Sequence, residues 1–165
     1  MNRLLVLGLF FVGSAAVVDH PHFGKTVTAN LPGPVELSVR YSTVPAHEMD
    51  PDAAPLGKFI NPRAPMLQLS ETLRSGSTEI PSGSYTVGLV KKNSGDWRLA
   101  LYPGRLSQRE ADVTPKMILL DTVFSRSSGR SDHLSIDFDL GTGRLEGDVV
   151  LTFHLGTLYL AAPLE

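Results

Sequence analysis

The side chains best equipped for chemistry crowd into one proline-rich stretch. Residues 45–65 carry Pro45, Pro51, Pro55, Pro62 and Pro65, and among them His47, Glu48, Asp50 and Asp52. An imidazole beside carboxylates has the parts for general acid–base hydrolysis, and three carboxylates offer the oxygen ligands that calcium prefers. The stretch lacks a calcium loop with glycine at the sixth position, so a solvated acidic loop is the favoured reading. A second set lies near the start, where His20 and His22 flank Pro21. Imidazoles suit copper or nickel, but the specific copper geometry needs a histidine third from the mature terminus, hence cleavage after Val17.

Other reactive side chains have plainer readings. His154 falls on the solvent parity of its strand and reads as a half-exposed histidine bonded to a neighbour. Asp137 and Asp139 share one strand face, which solvent-side alternation explains better than a glycosidase carboxylate pair. There is no glycine-rich phosphate loop, no Gly-x-Ser-x-Gly elbow and no His-Glu-x-x-His. No residue is singled out as catalytic, and no cofactor is expected.

These residues sit in a chain of 165, one domain's worth, whose 42% hydrophobic and 19% charged residues are globular values. With no cysteine, disulfides, thiolate catalysis and a cysteine-based zinc site are excluded. A formal net charge of −2 leaves no basic footprint, so nucleic acid is not an expected partner. Fifteen glycines and twelve prolines suit an all-β fold with many turns.

The first sixteen residues read as a secretory signal peptide. Arg3 is the positive start, residues 4–12 form an apolar run, and Ser14, Ala15 and Ala16 are the small residues before a cut after Ala16. The run is shorter than the roughly 20 residues of a spanning helix. Removing it implies a secreted or periplasmic protein that is not integral to a membrane. Residues 17–34 then form an amino-terminal arm with an edge strand over 25–29, and residues 35–165 the folded domain.

Within that domain, apolar residues alternate with polar ones. Val35, Leu37, Val39 and Tyr41 make one strand face, and Leu67 and Leu69 another. Tyr85, Val87 and Leu89 face Trp97, Leu99 and Leu101 across a hairpin. A three-residue loop at Asn93, Ser94 and Gly95 sets Leu89 opposite Leu99, with Gly95 in the left-handed position. Leu134, Ile136, Phe138 and Leu140 pair with Val149, Leu151, Phe153 and Leu155. A two-residue turn at Gly141-Thr142 unites their faces, unless the loop reaches Gly147. Gly156-Thr157 bends the last strand. Residues 116–124 read as a strand buried on both faces, and 103–114 as a charged loop with room for one helical turn. The sum is an all-β antiparallel sandwich, jelly-roll-like, of about eight or nine strands.

The segment PSGSYTVGLVKKNSGDWRLALYPG resembles the centre of the secreted bacterial family catalogued as domain of unknown function 2911. The resemblance rests on Pro81, Gly83, Tyr85 and Trp97, on the VELSVRYSTVP strand upstream, and on LSIDFDL and VVLTFHLGTLYLAAPLE downstream. It implies a secreted β-sandwich and no established activity. The family's Trp-Arg-x-Gly-Ala-Asn-Glu segment is replaced here by residues 59–65, so any site it carries is altered. Two functions follow as expectations. One is a non-enzymatic binding or structural module of the cell envelope, recognising a glycan or an envelope protein. Glycan stacking needs an exposed ring among Trp97, Tyr85, Tyr102 and Tyr159. The alternative is an envelope hydrolase, which needs His47 to converge with at least two of Glu48, Asp50 and Asp52.

Overall fold

The computed structural model describes residues 22–165 except 32, 50–52, 94, 108, 109 and 113–115, and does not describe the side chains of 110, 111, 127 and 128. His20, Asp50, Asp52 and the expected signal peptide lie outside the described residues. The strands are β1 (Gly24–Asn30), β2 (Glu36–Ser42), β3 (Phe59–Ile60), β4 (Met66–Leu69), β5 (Leu73–Ser75), β6 (Thr78–Ile80), β7 (Gly83–Asn93), β8 (Asp96–Pro103), β9 (Glu110–Ala111), β10 (Ile118–Leu119), β11 (Val123–Leu140) and β12 (Val149–Leu164). The expected all-β antiparallel sandwich is what forms. The longer elements are the strands the alternation marks, and the surplus is two- and three-residue pieces too short to carry a period. No helix among the described residues is long and apolar enough to cross a membrane.

The main layer runs β1-β2-β4-β7-β8-β10, with β3 on the same edge of β7 as β4 and β9 outside β3. The second layer is the long β11–β12 hairpin. The β5–β6 hairpin joins its end, where Arg74 and Glu165 exchange two backbone hydrogen bonds of 2.8 and 2.9 Å. Between the layers lies one core. Val39, Leu67, Val87, Leu89, Trp97, Leu99 and Leu101 come from the main sheet, and Leu134, Ile136, Leu151, Phe153, Leu158 and Leu160 from the other layer.

The central hairpin has the expected register, Leu89 opposite Leu99, by a different route. Asn93 pairs with Asp96, and the register shifts between Lys91 and Asn93, so a bulge absorbs the odd residue. Gly95 does not take the left-handed backbone; its N–H donates to the Asn93 side chain at 2.9 Å. In the long hairpin, Leu140 pairs with Val149, so its loop spans residues 141–148 rather than two. That loop holds a 3-10 turn at Gly143–Leu145, and Gly147 takes φ +96°. At Gly156, φ is +59°. The buried positions switch there from Leu151, Phe153 and Leu155 to Leu158, Leu160 and Ala162, so the bend keeps the strand facing the core. Within 116–124 the strands are β10 and the start of β11, and Lys116 is in a 3-10 turn; of the 103–114 loop, residues 110–111 extend as β9, and 108, 109, 113 and 114 lie outside the described residues.

The resembling segment has a local physical basis. The buried Tyr85 hydroxyl donates to the Pro81 carbonyl at 2.6 Å, and burial pushes its pKa up. Gly83 takes φ +149°, which disfavours a side chain beside the Tyr85 ring.

The two faces of the main sheet are unequal. Its inner face is wholly core. Part of its outer face carries a small second cluster in which Phe59, Val90 and Ala100 pack with Tyr102, Leu106, Met117 and Leu119. Gly88 makes this possible, because a Cβ there would fall 2.5 Å from the Phe59 ring and 2.6 Å from the Ile60 carbonyl oxygen. Over β1, β2 and β4 the outer face stays open, with Thr28, Arg40 and Gln68 exposed.

Gly88→Ala is expected to destabilise the protein by about 1–3 kcal/mol, since backbone as well as ring must shift. Thermal unfolding would show it at about 2–4 °C per kcal/mol, and an unchanged midpoint would contradict the close approach. A second prediction concerns Asp121, which takes two hydrogen bonds of 3.0 Å from Arg144 and accepts them from across two loops. The Arg144 bond holds its carboxyl below the usual value despite partial burial, helped by the charges of Arg144 and Arg98. A depressed folded-state pKa contributes stability above the unfolded value of about 3.9 and loses it as pH falls through the folded value. The pair is part-exposed, so Asp121→Asn should cost less than about 1 kcal/mol at pH 7. The gap to the parent should close as pH falls from the ordinary carboxylate range through the lowered folded-state value, as unfolding midpoints measured across pH would show.

Candidate functional site

Main-sheet strands are nearly continuous along β7 except in one place. On its β4 edge, Met66 pairs with Thr86 and Ile60 with Leu89. Five residues, 61–65, therefore face only Val87 and Gly88. The surplus leaves the sheet as a bulge. Pro65 holds one end through its carbonyl, which accepts from the Val87 N–H at 2.8 Å. Buried Asn61 holds the other, its Oδ1 accepting from the Ala64 N–H at 2.7 Å. Arg63 and Ala64 are left in the left-handed region, at φ 61° and 50°, although neither is glycine. Such a conformation costs an L-residue roughly 1–2 kcal/mol, and strain of this kind concentrates at functional positions.

The bulge forms one wall of an open cleft of about 400 Å³. Arg63 and Ala64 line that wall, Gly24, Arg40 and Ser42 come from the β1–β2 edge, Met66 lies on the floor, and Arg105 closes the far side. Arg40 points outward because it shares the parity of Glu36 and Ser38, opposite the buried Leu37, Val39 and Tyr41. Arg105 is set in place by its neighbours. The buried Thr86 hydroxyl donates to the Gly104 carbonyl at 2.8 Å and accepts from the Leu106 N–H at 2.8 Å, while the Gly104 N–H donates to Ser84 at 2.7 Å. Three arginines from separated parts of the chain thus line one cleft. Each presents planar donors that match a carboxylate or phosphate.

Behind the bulge sits the only histidine–carboxylate contact of the expected loop that the described residues show. Glu48 Oε2 lies 3.4 Å from Arg63 Nη2, and Glu48 Oε1 lies 3.5 Å from His22 Nε2. His22 Nδ1 donates to the Thr43 carbonyl at 3.0 Å. The structure therefore brings His22 from the expected metal set to Glu48 from the expected loop set, whose other carboxylate oxygen meets Arg63. His47 is exposed on the 3-10 turn at Ala46–Glu48 and does not line the cleft. Among the described residues, no three His, Asp or Glu side chains are grouped so as to hold a metal ion.

Trp97 and Tyr85 are buried in the core and offer no stacking face. Tyr102 is half-buried against Phe59, with ring centroids 6.4 Å apart, and Tyr159 stands edge-on to His154 at 5.6 Å. His154 is half-buried with its Nε2 enclosed and unpartnered among the described residues, where a hydrogen-bonded neighbour was expected. Among the described residues Phe23 is an exposed aromatic ring, next in sequence to Gly24 at the cleft.

The three arginines went unnoticed as a set in the sequence. Arg40 looks like ordinary outward alternation, Arg105 like part of a charged loop, and the bulge carries no glycine to announce its backbone. The chain finds no match among known protein-family models, curated proteins or solved structures.

Ala64→Gly is expected to stabilise the fold by about 0.5–1 kcal/mol, because glycine takes the left-handed region without the Cβ penalty but loses more chain entropy. Denaturant unfolding would show a higher midpoint with an unchanged slope. A lower midpoint would mean that residue 64 carries no relievable strain.

Proposed function

We propose that this chain is an exported, non-enzymatic binding module of the cell envelope that takes an anionic ligand in the Arg40–Arg63–Arg105 cleft. The lining of one cleft by three arginines carries the reading. Arg40 and Arg105 make no ion pair with a described carboxylate, and Arg63 has a part-exposed contact with Glu48 that a ligand can outcompete. The cleft is mounted on strands and on a braced bulge, so little ordering is required on binding. Export is supported by Arg3, the apolar run over 4–12 and the small residues up to Ala16. The resemblance in the 81–102 hairpin agrees with a secreted β-sandwich. The hydrolase alternative gains no support from His47, exposed and away from the cleft, or from Glu48, engaged by Arg63 and His22.

Intact-mass measurement of protein recovered from the envelope fraction should give a chain beginning at Val17. In thermal unfolding, small carboxylates, phosphate or sulfate should raise the midpoint of the parent protein. At a hundred times the dissociation constant the gain is about 2.7 kcal/mol, or about 2–4 °C per kcal/mol. Arg40→Gln with Arg105→Gln should abolish that shift. A shift with calcium or copper and none with anions would contradict the proposal and return attention to the 45–52 loop or the amino-terminal histidines.

A further inference from the structure

The arginine cleft does not stand alone on the open face. Along the same strands runs a second groove of about 470 Å³, bordered by Thr28, Asn30, Glu36, Leu37, Ser38, Gln68 and Ser70. Ser38 precedes Arg40 by two residues on β2, and Gln68 follows Met66 by two on β4, so each pair shares one face about 7 Å apart. Thr28 lies opposite Ser38, and Ser38 opposite Gln68, across the paired strands. The groove thus adds a row of short hydroxyl and amide side chains beside the arginine cleft, with the Glu36 carboxylate at the end farther from Arg40. Several are uncommitted among the described residues. The Ser84 hydroxyl donates to Gln68 Oε1, which leaves the Gln68 amide nitrogen as a spare donor. Thr28, Asn30 and Ser38 make no side-chain hydrogen bond with a described residue.

A ligand that fits both parts must present an anionic group to the arginines and many hydroxyls along its length. Phosphate or sulfate fills the arginine cleft but leaves the groove unused. Nucleic acid wants a series of stacking rings beside the positive charge, whereas Trp97 and Tyr85 are buried and Phe23 is the one large exposed aromatic among the described residues. Resting on the anion-binding reading above, we infer that the open face of β1, β2 and β4 binds an acidic oligosaccharide. A uronate carboxylate is held by Arg40, Arg63 and Arg105, and the neighbouring sugar hydroxyls bond to Ser38, Gln68 and Thr28. Recognition runs through hydrogen bonds and charge rather than ring stacking, which is how a sandwich with core-bound aromatics can still read a glycan.

Calorimetric titration of the purified full chain tests this with four probes: tetragalacturonate, its carboxyl-reduced neutral counterpart, monomeric galacturonate and inorganic phosphate. Tetragalacturonate should bind at least tenfold tighter than the monomer or phosphate, and the neutral tetramer should bind at least tenfold weaker. Arg40→Gln should weaken the tetramer tenfold or more, and Gln68→Ala threefold or more while leaving monomer binding unchanged. Arg74→Gln, exposed on the β5–β6 hairpin, should change nothing. If Arg40→Gln does not fold, Arg105→Gln serves in its place. Should galacturonate and phosphate bind as tightly as the tetramer and Gln68→Ala have no effect, the oligosaccharide is refuted while an anion site remains. Equal binding of the neutral tetramer refutes the carboxylate's role. No binding by any probe overturns both the inference and the anion-binding reading.

Discussion

A mismatch in chain length along one edge of β7 governs the working surface of this protein. Ile60 and Met66 are both paired to β7, yet five residues must fit where two face them. The extra chain cannot stay in the sheet, and its backbone polar groups cannot be left unpaired in the fold. Asn61 and Pro65 resolve this by bonding to Ala64 and Val87, and the geometry that results forces Arg63 and Ala64 to positive φ. From that one constraint come the wall of the cleft, the direction of Arg63 and its approach to Glu48.

The unequal faces of the main sheet follow from packing rather than from pairing. Gly88 lets Phe59 lie flat on the outer face, and Phe59 recruits Leu106, Met117 and Leu119 into a small satellite core. That core covers the β7–β8 half, and Thr86 ties the covering segment down through Gly104 and Leu106. Arg105 is carried to the edge of the covered half as a consequence. The β1–β2–β4 half has no large apolar side chain on its outer parity beyond Met66, so nothing draws a cover over it. The open polar face and the buried aromatic residues are two results of the same distribution of apolar side chains.

Much of the sandwich could be read from parity alone, because a half-buried strand needs alternation and a one-residue slip would expose Trp97. Leu89 opposite Leu99 was legible on that ground, and Gly156 as a bend because glycine tolerates φ +59°. Turns were less legible: the 141–148 loop contains three glycines, any of which can end a hairpin. Two-residue strands such as β3 and β9 carry no period at all. The candidate site was hidden for a further reason. Its arginines sit far apart in sequence, each with an ordinary local explanation. The strain that marks the site falls on Arg63 and Ala64, residue types that give no hint of a left-handed backbone. The visible cluster of His47, Glu48, Asp50 and Asp52 drew attention to the loop, yet Glu48 is found bracing the bulge beside the cleft.

Where a ligand touches the protein is given directly by backbone amide shifts followed by NMR during titration with an acidic tetrasaccharide. Perturbations are predicted at residues 36–42, 61–68 and 104–106, with little change in β11 and β12. Perturbations centred on residues 45–49 or 141–149, with the arginine cleft silent, would contradict binding in the cleft.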